Sequence, residues 1–358
     1  MRGTRLEIFS EALLHNVQQA RQRAGAAELL AMVKADAYGH GLVPVARIFA
    51  PHVDGLGVAV WEEAQTLFQA GIRKTVSVVE GFFDAEELRA GKELPVEWFV
   101  HSDWQLELLL QEKIPCAVWL KVDSGMHRLG FPPKSAAVVT RQLVAAGVQV
   151  KGLASHFATA DLVDFSRAEK QKDEMLALSA ALQLPLTLAN SAALYRFPEA
   201  TAARVRPGIM LYGSSPLENH EAADLGLKPT QRFSACIIAL NPVAAGDAVS
   251  YGDHWRAPQD SRIAIVAAGY GDGYPRLTPS GTPVAVETAS GIVFANTVGR
   301  VCMDMIAIDV TEIADVAIGQ RVELWGEHIS VDQVAAASGN LAYELFCRMT
   351  RRPERLYR

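Results

Sequence analysis

Leu56-Gly-Val-Ala-Val60 runs directly into Trp61-Glu-Glu-Ala-Gln-Thr-Leu-Phe-Gln-Ala70, which stops at Gly71; a second apolar run, Val76–Val79, follows at once. The first run is short and continuously apolar, which fits a strand buried on both faces better than a half-exposed one. The middle stretch reads as a helix, with Gly71 as its C-cap signal. This strand–helix–strand unit recurs in both directions. Eight apolar runs appear: Leu29–Val33, Leu56–Val60, Val76–Val79, Val96–Val100, Ala117–Val122, Val150–Ala154, Leu186–Ala189 and Val205–Leu211. Helical patterns lie between them. Asp84–Ala90 stops at Gly91, Ser102–Leu110 opens on an N-cap serine, and Ser135–Ala146 runs to Gly147. Eightfold alternation predicts a (β/α)8 TIM-type barrel over residues 10–225. Alternation alone is also compatible with an open doubly wound sheet.

After about Leu225 helical stretches nearly vanish. Short runs follow at close spacing: Phe233–Leu240, Arg262–Ala267, Pro283–Glu287, Gly291–Asn296, Met305–Val310 and Arg321–Trp325. Gly, Pro, Asn and Asp punctuate them, which predicts an antiparallel, mostly β second domain over 226–358. The N-terminal segment 1–9, with its run Arg5–Phe9, is expected to add a strand there.

Composition narrows the function classes. A chain of 358 residues suggests two domains. Half of its residues are hydrophobic and 21% are charged, so wholesale disorder is excluded. The net charge is −6 and no basic tail occurs, which speaks against nucleic acid or an anionic membrane as a partner. The start carries no signal-peptide stretch, and no apolar run approaches the ~18 residues of a membrane span. The four cysteines lie far apart, as in a reduced, cytoplasmic protein. The nine histidines show no metal-ligand spacing, so no metal is expected.

Barrel chemistry gathers at the C-terminal ends of the strands. Lys34, Lys121, His156, Asn190 and Arg206 all sit in or just beyond the apolar runs, and Arg128 follows closely. A single lysine or histidine there is usually solvated or structural. Several cations at equivalent positions point instead to an anionic ligand such as a phosphate or carboxylate. Lys34 is the sharpest candidate: lost hydration lowers a lysine pKa, and a neutral amine can form a Schiff base with an aldehyde.

At Ala31-Met-Val-Lys-Ala-Asp-Ala-Tyr-Gly-His-Gly41 the chain resembles the cofactor-attachment segment of the alanine racemases. The likeness continues, in the family's order, through Lys121–Gly130, His156–Asp161, Ala189–Ala192, Val205–Ile209, Val249–Gly252, Gly269–Gly273, Gly299–Asp304 and Ala342–Glu344. It implies a pyridoxal-phosphate-binding barrel with a C-terminal β domain, and an enzyme that interconverts L- and D-alanine. Lys34 would carry the cofactor and serve as the base for D-alanine. Tyr251 would be the opposite-face base for L-alanine, entering from the other subunit of a homodimer. Arg206 resembles the residue facing the pyridine nitrogen, and His156 the link from it to the tyrosine. Arg128 resembles the contact to the cofactor's phenolic oxygen, near the substrate carboxylate. Met303 resembles the partner-chain residue whose backbone meets that carboxylate. Tyr38, Ser191, Gly208, Ile209 and Tyr343 resemble phosphate-side contacts. Lys121 matches a lysine often carbamylated, and Tyr270 a gate at the entrance channel.

Two bases on opposite faces spare one base from crossing the plane of the substrate. A free tyrosine has a pKa near 10, so positive charge relayed through His156 would favour the phenolate. An arginine at the ring nitrogen keeps its own proton, which weakens the electron sink and limits transamination. Alternatives carried forward are a racemase of broader specificity, a non-catalytic pyridoxal-phosphate carrier and a fold-related decarboxylase. The carrier lacks a β domain, and the decarboxylase requires a cysteine motif that Cys302-Met-Asp304 does not match. A D-alanine supply for peptidoglycan and alanine catabolism fit the sequence equally.

Overall fold

The computed structural model describes residues 2–358, which divide into two compact units: residues 13–227, and residues 228–358 together with the N-terminal segment through Ala12. The chain opens with β1 (Arg5–Ile8), in the second of these units, and the helix Ser10–Ala24. Then come the strands β2 (Glu28–Met32), β3 (Gly55–Val58), β4 (Thr75–Val78), β5 (Val96–Val100), β6 (Ala117–Lys121), β7 (Gln149–Ala154), β8 (Leu186–Thr187) and β9 (Arg204–Val205). All eight pair in parallel, and β9 returns to β2, so the sheet closes into a barrel. Closure settles the choice against an open sheet. β3 is buried at every residue, as its continuous apolar run requires.

Three local expectations are corrected. The run Val205–Leu211 is not one strand: the ladder ends at Val205, and Ile209–Tyr212 forms a 3-10 turn. Pro207 has no N–H to continue a ladder. Ser102 precedes the helix Asp103–Glu112, but its hydroxyl makes no capping bond and is buried without a partner. Gly91 ends its helix at φ −78°, so the left-handed freedom of glycine is not used there.

Inside the barrel, towards the strand N-termini, lies an ionic cluster that the sequence reading does not foresee. The Glu97 carboxylate accepts from Ser77 Oγ and Trp119 Nε1, each at 2.9 Å, and from Arg204, which also reaches Glu28 at 2.6 Å. Burial opposes the charge on Glu97, but the Arg204, Trp119 and Ser77 bonds outweigh it and hold the carboxyl below its ordinary range. These side chains come from β2, β4, β5, β6 and β9, so one network ties five strands together.

The other unit adds β10 (Gln231–Val243), β11 (Ser261–Val266), β12 (Pro283–Thr288), β13 (Gly291–Val298), β14 (Ile306–Asp309), β15 (Arg321–Trp325) and β16 (Glu354–Tyr357). The order is β11-β14-β13-β12-β15-β10-β1-β16, and β10 also pairs with β11, so six strands form a ring. β10 can do this because its register shifts twice, between Phe233 and Ser234 and between Ile237 and Ala239, which bends the strand. In the core of this sheet Tyr274 stacks on Trp325 and the Phe233 ring packs against it at a tilt. β1 joins this sheet, as the sequence suggests. Three elements were not anticipated: the helices Val331–Ala337 and Ala342–Cys347, and β16, which runs parallel to β1. Among the described residues no helix is long and apolar enough to cross a membrane.

Candidate active site

Lys34 follows the end of β2 and is half-buried. The next four residues are all left-handed, with φ of 54°, 54°, 53° and 51° at Ala35, Asp36, Ala37 and Tyr38. An L-residue held there costs about 1–2 kcal/mol, so this turn exists only because other bonds hold it. Ala37 N–H donates to Val33 O, Gly39 N–H to Ala35 O and Gly41 N–H to Asp36 O. The Asp36 carboxylate takes Leu42 N–H at 2.8 Å. From a neighbouring helix, Glu63 takes Ala35 N–H at 2.6 Å and Ala59 N–H at 2.9 Å, bridging the ends of β2 and β3. The sequence reading missed Glu63. Its signal is its place three residues into a helix, where an acidic side chain turns back to free backbone N–H groups.

The cations stand at the same end of the barrel. Arg206, one residue past β9, is buried; it donates to Thr187 Oγ1 at 2.5 Å and to Ser155 O. Burial, followed by the charge of Arg204, lowers its pKa to about 10, so it stays protonated at neutral pH. Its Nη2 lies 3.4 Å from His156 Nδ1. Burial first, then Arg206, Lys121, Arg128 and Lys34, hold the His156 pKa well below its ordinary value. His156 is therefore neutral. A guanidinium only donates, so Nδ1 is the acceptor and the ring proton sits on Nε2. Gln171 and Ser124 brace the backbone behind this pair: Gln171 Nε2 donates to His156 O at 3.1 Å, and Ser124 Oγ meets Ser155 Oγ at 2.8 Å. Lys121 ends β6 with its amine on Val122 O and Leu129 O. Burial, then the charge of Arg206, brings its pKa down to about 7. Arg128 is exposed, on a loop shaped by Asp123, whose carboxylate takes the N–H groups of Gly125, Met126 and His127.

A third group gathers around Gly208. Ser191 Oγ accepts from Gly208 N–H at 2.8 Å and from Met210 N–H at 3.4 Å. Between them the Ile209 N–H, in a residue only 1% exposed, has no partner among the described residues. A Cβ on Gly208 would collide with the Tyr38 hydroxyl, so glycine here leaves room for that side chain. Tyr38 stacks on Tyr212, whose hydroxyl donates to Met32 O. The barrel thus brings together Lys34, Tyr38, Lys121, His156, Ser191, Arg206, Gly208 and Ile209 at one mouth, with Arg128 on its rim.

The remaining candidates lie in the β unit. Tyr251 is 73% exposed and follows Ser250, a non-glycine residue at φ 68° whose hydroxyl is tied to Arg300 O at 2.7 Å. Met303 is 52% exposed, and its N–H has no partner among the described residues. Tyr270 lies beside it in chain packing, its N–H on Cys302 O at 3.1 Å. Tyr343 is exposed on the helix Ala342–Cys347.

The comparisons with known proteins cover both units. The alanine racemase N-terminal domain matches residues 8–216, and the alanine racemase C-terminal domain matches residues 230–357. An alanine racemase of Alcanivorax borkumensis is 53% identical over 355 residues, 99% of each chain. A catabolic alanine racemase of Pseudomonas putida is 40% identical over 356 residues, 99% of this chain and 98% of that one. The crystal structure of the biosynthetic alanine racemase of Pseudomonas aeruginosa superposes over the whole of both chains, with a TM-score of 0.95 at 40% identity. With two family domains matched in order and more than half of the residues shared with a full-length relative, the chain belongs to the alanine racemase family.

Proposed function

We infer that the protein interconverts L- and D-alanine by a two-base proton transfer that uses pyridoxal phosphate. The observation that carries this reading is the clustering of Lys34, His156 and Arg206 at one end of a closed barrel, in a chain that belongs to this family. The donor set suits that cofactor. The buried, unpartnered Ile209 N–H beside the Ser191 hydroxyl fits an oxygen-rich phosphate, the Gly208 approach leaves no Cβ in the way, and Arg206 offers a permanent donor to a ring nitrogen. Lys34 would hold the cofactor through its amine. Ser191, Gly208, Ile209 and Tyr38 would hold its phosphate, and Arg206 its ring nitrogen. When bound, pyridoxal phosphate supplies the electron sink that makes an α-proton removable.

The chain's own residues then carry the proton. Lys34 Nζ takes or returns it on the face used by D-alanine. The partner subunit's Tyr251 does so on the other face, in a homodimer. Exposure of Tyr251 and Met303 supports that division, because both are presented outward. Arg206 keeps its proton, so His156 stays neutral and presents Nε2–H as a donor to the phenol oxygen. That bond favours the phenolate, the form that accepts a proton. Arg128 and the partner's Met303 N–H would receive the substrate carboxylate. Tyr270 would gate the entrance. A neutral Lys121 amine can add to carbon dioxide, releasing one proton and leaving a carbamate that pairs with Arg128.

The test is optical rotation of L-alanine incubated with the purified protein, with and without added pyridoxal phosphate. Rotation should decay to zero only with the cofactor present. A flat trace with cofactor bound overturns the reading. Equal decay with L-serine makes the enzyme a racemase of broader specificity.

A further inference from the structure

We propose that Asp272, clamped by Arg2 and Arg352, is a positioning residue that aims the Met303 N–H at the substrate carboxylate; this deepens the racemase reading and rests on the role given there to Met303. The loop Gly269-Tyr-Gly-Asp-Gly273 lies against residues 302–304 backbone to backbone. Tyr270 N–H donates to Cys302 O at 3.1 Å, and Gly271 N–H donates to Met303 O at 2.9 Å. A Cβ on Gly269 would strike both of those carbonyl oxygens, which is why the contact is this close. Cys302 O and Met303 N–H belong to one peptide unit. In a trans peptide they point in opposite directions. Fixing the carbonyl towards the loop therefore fixes the N–H away from it, and the bond to the carbonyl polarises that N–H. Among the described residues the Met303 N–H, on an exposed residue, has no partner.

Ionic contacts hold the two segments in that register. Asp272 is wholly buried; its carboxylate takes Gly269 N–H at 2.9 Å and Arg2 Nη2 at 2.6 Å, and lies 3.3 Å from Arg352 Nε. Arg352 reaches across to the second segment, donating to Asp304 Oδ1 at 2.6 Å. Thr350, two residues earlier, donates its hydroxyl to Gly271 O and its N–H to Asp272 O. A buried carboxylate keeps its charge only when paired, so the guanidinium that neutralises Asp272 is also the strut to residues 302–304. None of these side chains has a place in the proton transfer.

Two variants of the holoenzyme test this. Arg352→Gln removes the strut from a part-exposed site, and Gly271→Ala places a Cβ against both the Arg352 guanidinium and Met303, forcing the two segments apart. Both are measured with alanine and with propionate, which is alanine without its amine. The KM for each enantiomer and the Ki of propionate should rise about tenfold together, while kcat stays within about threefold and the bound-cofactor absorbance is unchanged. KM and Ki within about twofold of wild type in folded variants overturn the proposal, as does a fall in kcat with KM unchanged. A wild-type protein that does not racemise alanine overturns the underlying reading instead, so the two failures are distinguishable.

Discussion

In the barrel unit the chemical groups are sunk among cations: Arg206 is 6% exposed, and burial depresses both His156 and Lys121. In the β unit Tyr251 is 73% exposed and Met303 52%, and what fixes them is the conformation of their segments, through the positive φ of Ser250 and the loop and ionic contacts around residues 302–304. The barrel tunes its groups by desolvation, which works on a chain by itself. The β unit only aims its groups and leaves their electrostatic surroundings to be supplied from elsewhere. That difference suits the proposal that a partner subunit completes the site.

The contrast can be broken by experiment. Lys34→Ala should abolish racemisation in both directions, by about 10³-fold or more as for loss of a covalent catalytic group, and the protein should lose its visible cofactor absorbance. Retained absorbance with lost activity would show that Lys34 does not carry the cofactor. Tyr251→Phe should be selective. Deuterium exchange at Cα of L-alanine should fall about 10²-fold or more, while exchange on D-alanine through Lys34 is spared. Equal losses for both enantiomers would cancel the assignment of faces. The smallest effect concerns Lys121 in carbon-dioxide-free buffer. Its folded pKa of about 7 lies below the ordinary 10.5, so between those values the unfolded chain holds a proton that the folded chain does not. Wild-type stability should therefore rise with pH across that window relative to Lys121→Met, as thermal midpoints from pH 6 to 10 would show; a constant gap between them would mean the amine titrates normally.

The barrel was legible because parallel strands are buried on both faces and therefore read as unbroken apolar runs. The place of Lys34, Lys121, His156 and Arg206 followed from the rule that chemistry sits at the ends of such strands. The eighth run misleads because Ile209–Leu211 is as apolar as a strand, although Pro207 ends the ladder before it. The helix Val331–Ala337 had a signal that was not used, since Ser330 caps Asp332 N–H. The roles of Tyr251, Met303 and Tyr343 came from resemblance, because nothing in local pattern marks an exposed tyrosine as chemical. Glu63 carries only the signal of its place in the first helical turn, and Asp272 and Arg352 carry none, since their importance lies in bonds to residues distant in sequence. The left-handed turn was hidden most completely: alanines there predict the opposite hand.

That turn, Ala35–Tyr38, is wound in the sense that mirror-image residues prefer. A semisynthetic chain carrying D-alanine at positions 35 and 37 would sit in its own favoured well at both, relieved of about 1–2 kcal/mol at each site. The protein thus hangs Lys34 on a stretch of main chain that D-alanine residues would fit better than the L-residues that build it.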